Sequence, residues 1–192
     1  LLLDSASSEL IALKLEANRS VEDAEGTRFP IAGLSLVNPQ GMAVDVASSR
    51  LFILDAAAKQ LIAIGANAAG NFEAIAPNPG NVERIDLNVP ADAVLRGLTF
   101  DAQANRFYTV NAKTQSIYEL TASGQLVKSI NLSSVGLTNP RGIAVAPTAD
   151  PTDDPSLVDL FIAESGAPLI DDIGQVEPSL FLPFIGGVVS QG

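Results

Sequence analysis

The chain contains no cysteine, no histidine and no tryptophan. Without cysteine there is no disulfide, no thiolate nucleophile and no zinc–thiolate site. Without histidine, Ser-His-Asp and Cys-His catalysis are excluded within this chain, as are histidine-ligated zinc, copper and non-haem iron. Any chemistry encoded here runs on carboxylates, lysine, arginine, tyrosine or a hard metal ion. Basic residues are scarce too, 11 against 22 acidic ones, for a formal charge of −11. A surface this acidic repels phosphate backbones and anionic lipid, so no nucleic-acid partner is expected. The acidity serves solubility, or it binds divalent cations through carboxylates. No apolar run nears the ~20 residues that cross a bilayer, so no membrane insertion is expected.

What the chain does have is a globular composition and a repeat. Hydrophobic residues make up 47 % and charged residues only 17 % of 192 residues, enough apolar side chain for a sizeable core. Three segments share one grammar: NPQGMAVDVASSRLFILDAAAKQLIAI at 38–64, LRGLTFDAQANRFYTVNAKTQSIYEL at 95–120, and NPRGIAVAPTADPTDDPSLVDLFIAES at 139–165. A fourth copy, at 1–13, carries only the second half of the pattern. Each full copy sets a glycine (Gly41, Gly97, Gly142) before an apolar run. A polar turn follows, then a second apolar run ending in a polar residue, and in the first two copies a second turn leads to a third run. The glycines recur at roughly 50-residue intervals, the period of four-stranded propeller blades.

The runs are too short for helices and are separated by turn residues such as Ala47-Ser48-Ser49, Ala102 to Asn105, Ala56 to Lys59, and Ser123-Gly124. They read as strands, with fourth strands expected at 28–36, 82–87 and 125–132. The fold class is all-β. A short twisted sheet that is apolar on both faces cannot bury both alone, and radial stacking solves the problem. The expectation is a single β-propeller region of about four blades of four-stranded antiparallel sheets. Its blades divide at 1–37 (partial), 38–92, 93–137 and 138–192. The glycine suits a crowded centre where a side chain would collide. Asn38-Pro39 and Asn139-Pro140 set an extended lead-in.

Pro39-Gln40-Gly41-Met42-Ala43-Val44-Asp45, Arg50 to Asp55 and Gln60 to Ile64 together resemble the NHL repeat. The copy beginning at Pro140 is similar, and the copy at Gly97 has Leu95-Arg96 where the repeat has its proline. The resemblance implies blades of a six-bladed ring, hence an open arc of a longer protein whose ring other chain completes. A closed four-bladed ring, with a C-terminal strand completing the first blade, is the alternative. The NHL family spans protein-binding, RNA-binding and enzymatic propellers, so the resemblance implies a fold and leaves function open.

Candidate chemistry centres on the connection at 146–159, which carries Asp150, Asp153, Asp154 and Asp159. Clustered aspartates with loop carbonyls supply the oxygens that Ca²⁺ takes, so these four are the candidate metal ligands and Ca²⁺ the candidate cofactor. The same residues also make an acidic, proline-stiffened surface loop. Asp153-Asp154-Pro155 resembles a motif of calcium-dependent propeller phytases, and Asp171-Asp172 is a second acidic pair that either shares a cation or is solvated. Arg50 and Arg106 stand just before the second strand of two copies, where they bind a partner carboxylate, form blade-to-blade salt bridges or lie in a solvated turn. Tyr108 and Tyr118 are expected to be packed, and no catalytic residue is assigned. Asn18 and Asn131 begin glycosylation triplets that matter only in a eukaryotic secretory protein.

The expected function is a non-catalytic scaffold or binding module of an exported bacterial protein, extracellular or periplasmic, with a protein or small-molecule ligand. One rival is a calcium-dependent hydrolase of the phytase, lactonase or esterase type, its site completed by further blades. Another is a self-assembling subunit that pairs through open blade edges.

Overall fold

A computed structural model of the chain describes residues 1–7, 9–13, 26–67, 72, 81–137, 139–148, 152 and 157–165. Its local structure starts at the hairpin turns. Asp45 Oδ1 accepts from Ala47 N at 3.0 Å and Ser49 takes a left-handed φ of 53°. Asp101 Oδ1 accepts from Gln103 N at 2.9 Å and Ala104 N at 3.1 Å, and Asn105 repeats the left-handed φ of 53°. Asp4 Oδ1 makes the same turn with Ala6 N and Ser7 N. An aspartate that bonds its own downstream amides bends the chain before any tertiary contact exists. The Ser48 hydroxyl also donates to Asp45 and holds its carboxyl below the usual range.

These turns join antiparallel strands into four sheets. The first contains β1 (Leu2–Asp4), β2 (Glu9–Leu13) and β3 (Gly26–Pro30). The second contains β4 (Pro39–Asp45), β5 (Arg50–Asp55), β6 (Gln60–Gly65) and β7 (Val82–Asp86). The third contains β8 (Leu95–Asp101), β9 (Arg106–Asn111), β10 (Ser116–Thr121) and β11 (Leu126–Asn131). The fourth, among the described residues, pairs β12 (Pro140–Pro147) with β13 (Val158–Glu164). β4 packs along β8, and β8 along β12, so the first strands of successive sheets lie together on the inner side. The sheets are consecutive blades of a β-propeller.

Strand periodicity decides which blade each side chain meets. Along β5, Leu51 and Ile53 join Leu10, Ile31 and Leu34 in the core between the first and second blades. Phe52 and Leu54 point the other way, to Leu95, Phe107 and Leu120 in the core between the second and third. Tyr108 and Val110 continue the pattern, meeting Ile143 and Ile162 of the fourth blade. An aromatic trio marks the middle interface: Phe107 lies 4.7 Å, centroid to centroid, from both Phe52 and Phe100. Fully burying one such side chain is worth about 1.5–3 kcal/mol. The ion pairs, such as Arg50–Glu83 and Arg106–Glu119, are partly exposed and worth about 0–1 kcal/mol each. Apolar stacking between blades therefore holds the fold.

The inner strands approach backbone to backbone. A Cβ on Gly41 would lie 2.6 Å from Leu98 N and 2.7 Å from the Gly97 carbonyl carbon. One on Gly97, which itself has a φ of +60°, would lie 2.9 Å from Ile143 N. At Gly142 the nearest atom to such a Cβ, among the described residues, is the Ala163 Cβ at 3.5 Å, an ordinary contact. Each glycine sits at a register shift between first and second strands.

The polar residue ending each second strand ties the blade's turn to its lead-in. Asp55, fully buried, accepts from Val37 N through Oδ2 at 2.8 Å, and through Oδ1 from Asn38 N at 3.0 Å and Ala58 N at 3.3 Å. Asn111 accepts from Val94 N at 3.0 Å and Glu164 from Asn139 N at 2.9 Å. The residue after each one adds a backbone bond: Ala56 N to Asn38 O, Ala112 N to Val94 O, and Ser165 N to Asn139 O.

Two sequence expectations are corrected. The strand expected at 28–36 is β3, and it ends at Pro30 because Glu9, its last partner, begins β2. The chain then turns through a 3₁₀ segment at Ala32–Leu34. Arg50 and Arg106 pair within their own blades, with Glu83 of β7 and Glu119 of β10, and bridge no blades among the described residues. Among the described residues, no helix is long and apolar enough to cross a membrane.

Substituting Gly41→Ala is expected to destabilise by about 1–3 kcal/mol through overpacking. Gly97→Ala adds backbone strain and should cost at least as much. Gly142→Ala should stay within about 0.5 kcal/mol. Urea denaturation of the three variants checks that order. In the same assay Asp55→Asn should lose about 1–3 kcal/mol, because it turns an amide donor toward Val37 N–H. The corresponding amide of Asn111 is satisfied by Tyr118 Oη at 2.7 Å, whereas Ile62 occupies that position in the second blade.

Candidate functional site

Where β4 and β8 begin, the second and third blades leave a cleft of about 420 Å³. Its polar lining is Asn38, Gln40, Lys59 and Arg96. Ala56, Ala57, Ala93 and Val94 supply short apolar walls. The repeat builds it. Asn38 and Gln40 flank Pro39 in the lead-in that Asp55 fastens, and Arg96 precedes Gly97 at the corresponding place in the third blade. Lys59 reaches across from the β5–β6 turn, donating to Ala56 O at 2.7 Å and to Ala93 O at 2.6 Å. Both bonds use Nζ as a donor, so Lys59 braces the gap between the blades. Gln40 Nε2 donates to Asn38 Oδ1 at 2.8 Å, which orients the second wall.

Among the described residues, no carboxylate lines this cleft. Asp55 lies behind it with its oxygens committed to backbone amides, and Asp92 is paired with Lys113 at its edge. The arrangement is one of polar groups fixed by hydrogen bonds beside apolar walls. A second hollow, of about 500 Å³, lies over the outer strands near Arg50, Glu83, Arg84 and Gln125. Its charges answer one another: Arg50 pairs with Glu83, and Arg84 bonds Gln60 and the Leu34 carbonyl.

Of the candidate metal ligands, Asp159 stands in β13 opposite Ala146. Asp150, Asp153 and Asp154 lie outside the described residues, as do Asp171 and Asp172. The described part of that connection is closed at its neck by Thr148 N donating to Leu157 O at 3.3 Å. Among the described residues, no three acidic side chains stand together as a cation site. Tyr108 and Tyr118 are packed between blades as expected, and burial, with Glu119 and Asp101 nearby, pushes the Tyr108 hydroxyl up from its ordinary value. Sequence reading did not single out Lys59 or Arg96. The signal available was positional, since Gln40, Arg96 and Arg141 all immediately precede the repeat glycine.

Residues 82–148, from β7 to just past β12, match the family model described as SdiA-regulated. No curated protein sequence matches the chain. Among solved structures, the nidogen/laminin complex is similar with 17 % identity and a TM-score of 0.50, over 82 % of this chain and 50 % of that one. Virginiamycin B lyase from Staphylococcus aureus aligns with 14 % identity and a TM-score of 0.48, over 92 % of this chain and 56 % of the enzyme. A gluconolactonase from Xanthomonas campestris aligns with 19 % identity and a TM-score of 0.40, over 66 % and 43 %. The chain thus spans about half the length of these three solved structures. At these identities it is the architecture alone that is shared, and with the four stacked sheets it defines the chain as β-propeller blades.

Proposed function

We propose that the chain is a non-catalytic binding module of an exported protein, taking its ligand at the cleft between the second and third blades. The observation that supports this reading is the lining of that cleft. It sets Arg96 beside Asn38, Gln40 and Lys59, which hydrogen bonds to one another and to backbone carbonyls hold in place, with no acid–base pair among these four. Rigid walls with a few convergent polar groups are how small-molecule and peptide sites are built. The nidogen/laminin complex, which shares the fold, is an assembly of proteins, and a protein partner is one class of ligand for such a module.

The second reading is a Ca²⁺-dependent propeller hydrolase. Asp159 favours it, standing at the exit of the acidic connection whose neck is pinched by Thr148 and Leu157. Thermal melts in excess EDTA, then with millimolar Ca²⁺ or Mg²⁺, separate the two. A ligand confined to the folded state stabilises by about 2.7 kcal/mol at one hundred times its dissociation constant. The binding-module reading expects no Ca²⁺-specific rise, and no turnover of phytate, simple lactones or p-nitrophenyl esters. A Ca²⁺-specific rise that Asp159→Asn abolishes, together with Ca²⁺-dependent turnover, would install the hydrolase in its place.

A further inference from the structure

We propose that the cleft beside Arg96 binds the carboxylate of a small organic acid; this rests on the binding-module reading and assigns its ligand class. Arg96 Nε is buried and has no hydrogen-bond partner among the described residues. None of their ion pairs involves it. A buried guanidinium donor left unmade is costly, and such a group in a native structure points to a missing acceptor.

The repeat supplies an internal control. Arg141 holds the same position in the fourth blade, and its Nε donates to Ser165 Oγ at 2.9 Å. Ser165 is the residue after the polar end of the second strand. In the third blade that place is Ala112, which has no side-chain acceptor, and the second blade carries neutral Gln40 in place of the arginine. Among these three equivalent positions, Arg96 alone is a cation whose Nε lacks an acceptor among the described residues, and Arg96 lines the cleft.

The lining narrows the acceptor's chemistry. A guanidinium offers a planar fork of donors that matches a carboxylate's two oxygens. Lys59 is occupied by two carbonyls and Lys113 is paired with Asp92, so Arg96 is the one cation lining the cleft that is uncommitted among the described residues. One such cation suits a monoanion better than a doubly charged phosphate, and the net charge of −11 disfavours the dianion further. The volume of about 420 Å³ and the alanine and valine walls leave room for a small apolar body behind the carboxylate.

The test titrates the intact chain with benzoate, benzamide and phenyl phosphate at low salt, following arginine Nε–H resonances by NMR. Benzoate is expected to shift the Arg96 signal saturably, with benzamide and phenyl phosphate at least about tenfold weaker, a difference of about 1.4 kcal/mol. Arg96→Gln, which copies the second blade, should lose about tenfold in benzoate affinity at an unchanged melting temperature. Ala112→Ser should weaken benzoate by giving Arg96 the acceptor that Arg141 has. Equal binding of benzoate and benzamide, full affinity in Arg96→Gln, or no saturable shift at Arg96 overturns the proposal. Tighter binding of phenyl phosphate overturns it in favour of a phosphate ligand. Arg96-independent binding of benzamide in the cleft sinks the carboxylate and leaves the module reading standing, whereas turnover in the hydrolase assays sinks the module reading itself.

Discussion

Neighbouring inner strands can approach only as closely as their side chains allow, and at Gly41 and Gly97 there are none. The Cα of Gly41 lies against the Gly97–Leu98 backbone, and that of Gly97 against Gly142–Ile143. This spacing brings β5, β6, β9 and β10 near enough for their apolar faces to interdigitate, as the Phe52, Phe100 and Phe107 contacts show. Holding the blades further apart would open voids along each interface, and voids forfeit the dispersion that close packing supplies. The cores between the second and third and between the third and fourth blades depend on the glycine contact.

Each sheet has two apolar faces and no covering helix among the described residues, so burial comes only from the adjacent blade. That explains why the middle blades carry the most deeply buried strands: β5 and β9 have five of six residues buried. The terminal sheets are less covered, and Leu2 in the edge strand β1 remains 52 % exposed. Charge plays a small part in this balance. The ion pairs decorate the sheet faces and turns, where solvent screens them.

A repeat fixes the scaffold, and departures from it make a site. Asp55, Asn111 and Glu164 do one job with three chemistries, each accepting from a lead-in amide. Gln40, Arg96 and Arg141 likewise share a position, yet their partners differ because Ala112 stands where Ser165 does in the next blade. Electrostatics sharpens the contrast. In a strongly acidic chain, the cleft between the second and third blades keeps its carboxylates turned away or paired.

The turns, the strand content and the inner glycines are legible in the order of residues alone. These follow from short-range physics: aspartates bonding nearby amides, period-2 apolar runs, and a backbone position that tolerates no Cβ. The same order also placed Tyr108 and Tyr118 in the packed interior. Where β3 stops is settled only on folding, because the length of β2 sets its last partner. Folding also decided that Arg50 and Arg106 find their acids within a blade, and that Gly142, among the described residues, meets only Ala163 where Gly41 and Gly97 meet backbone. The site belongs to the same class. Whether a guanidinium is satisfied depends on which residue a neighbouring turn presents to it, and that pairing exists only once the blades have stacked.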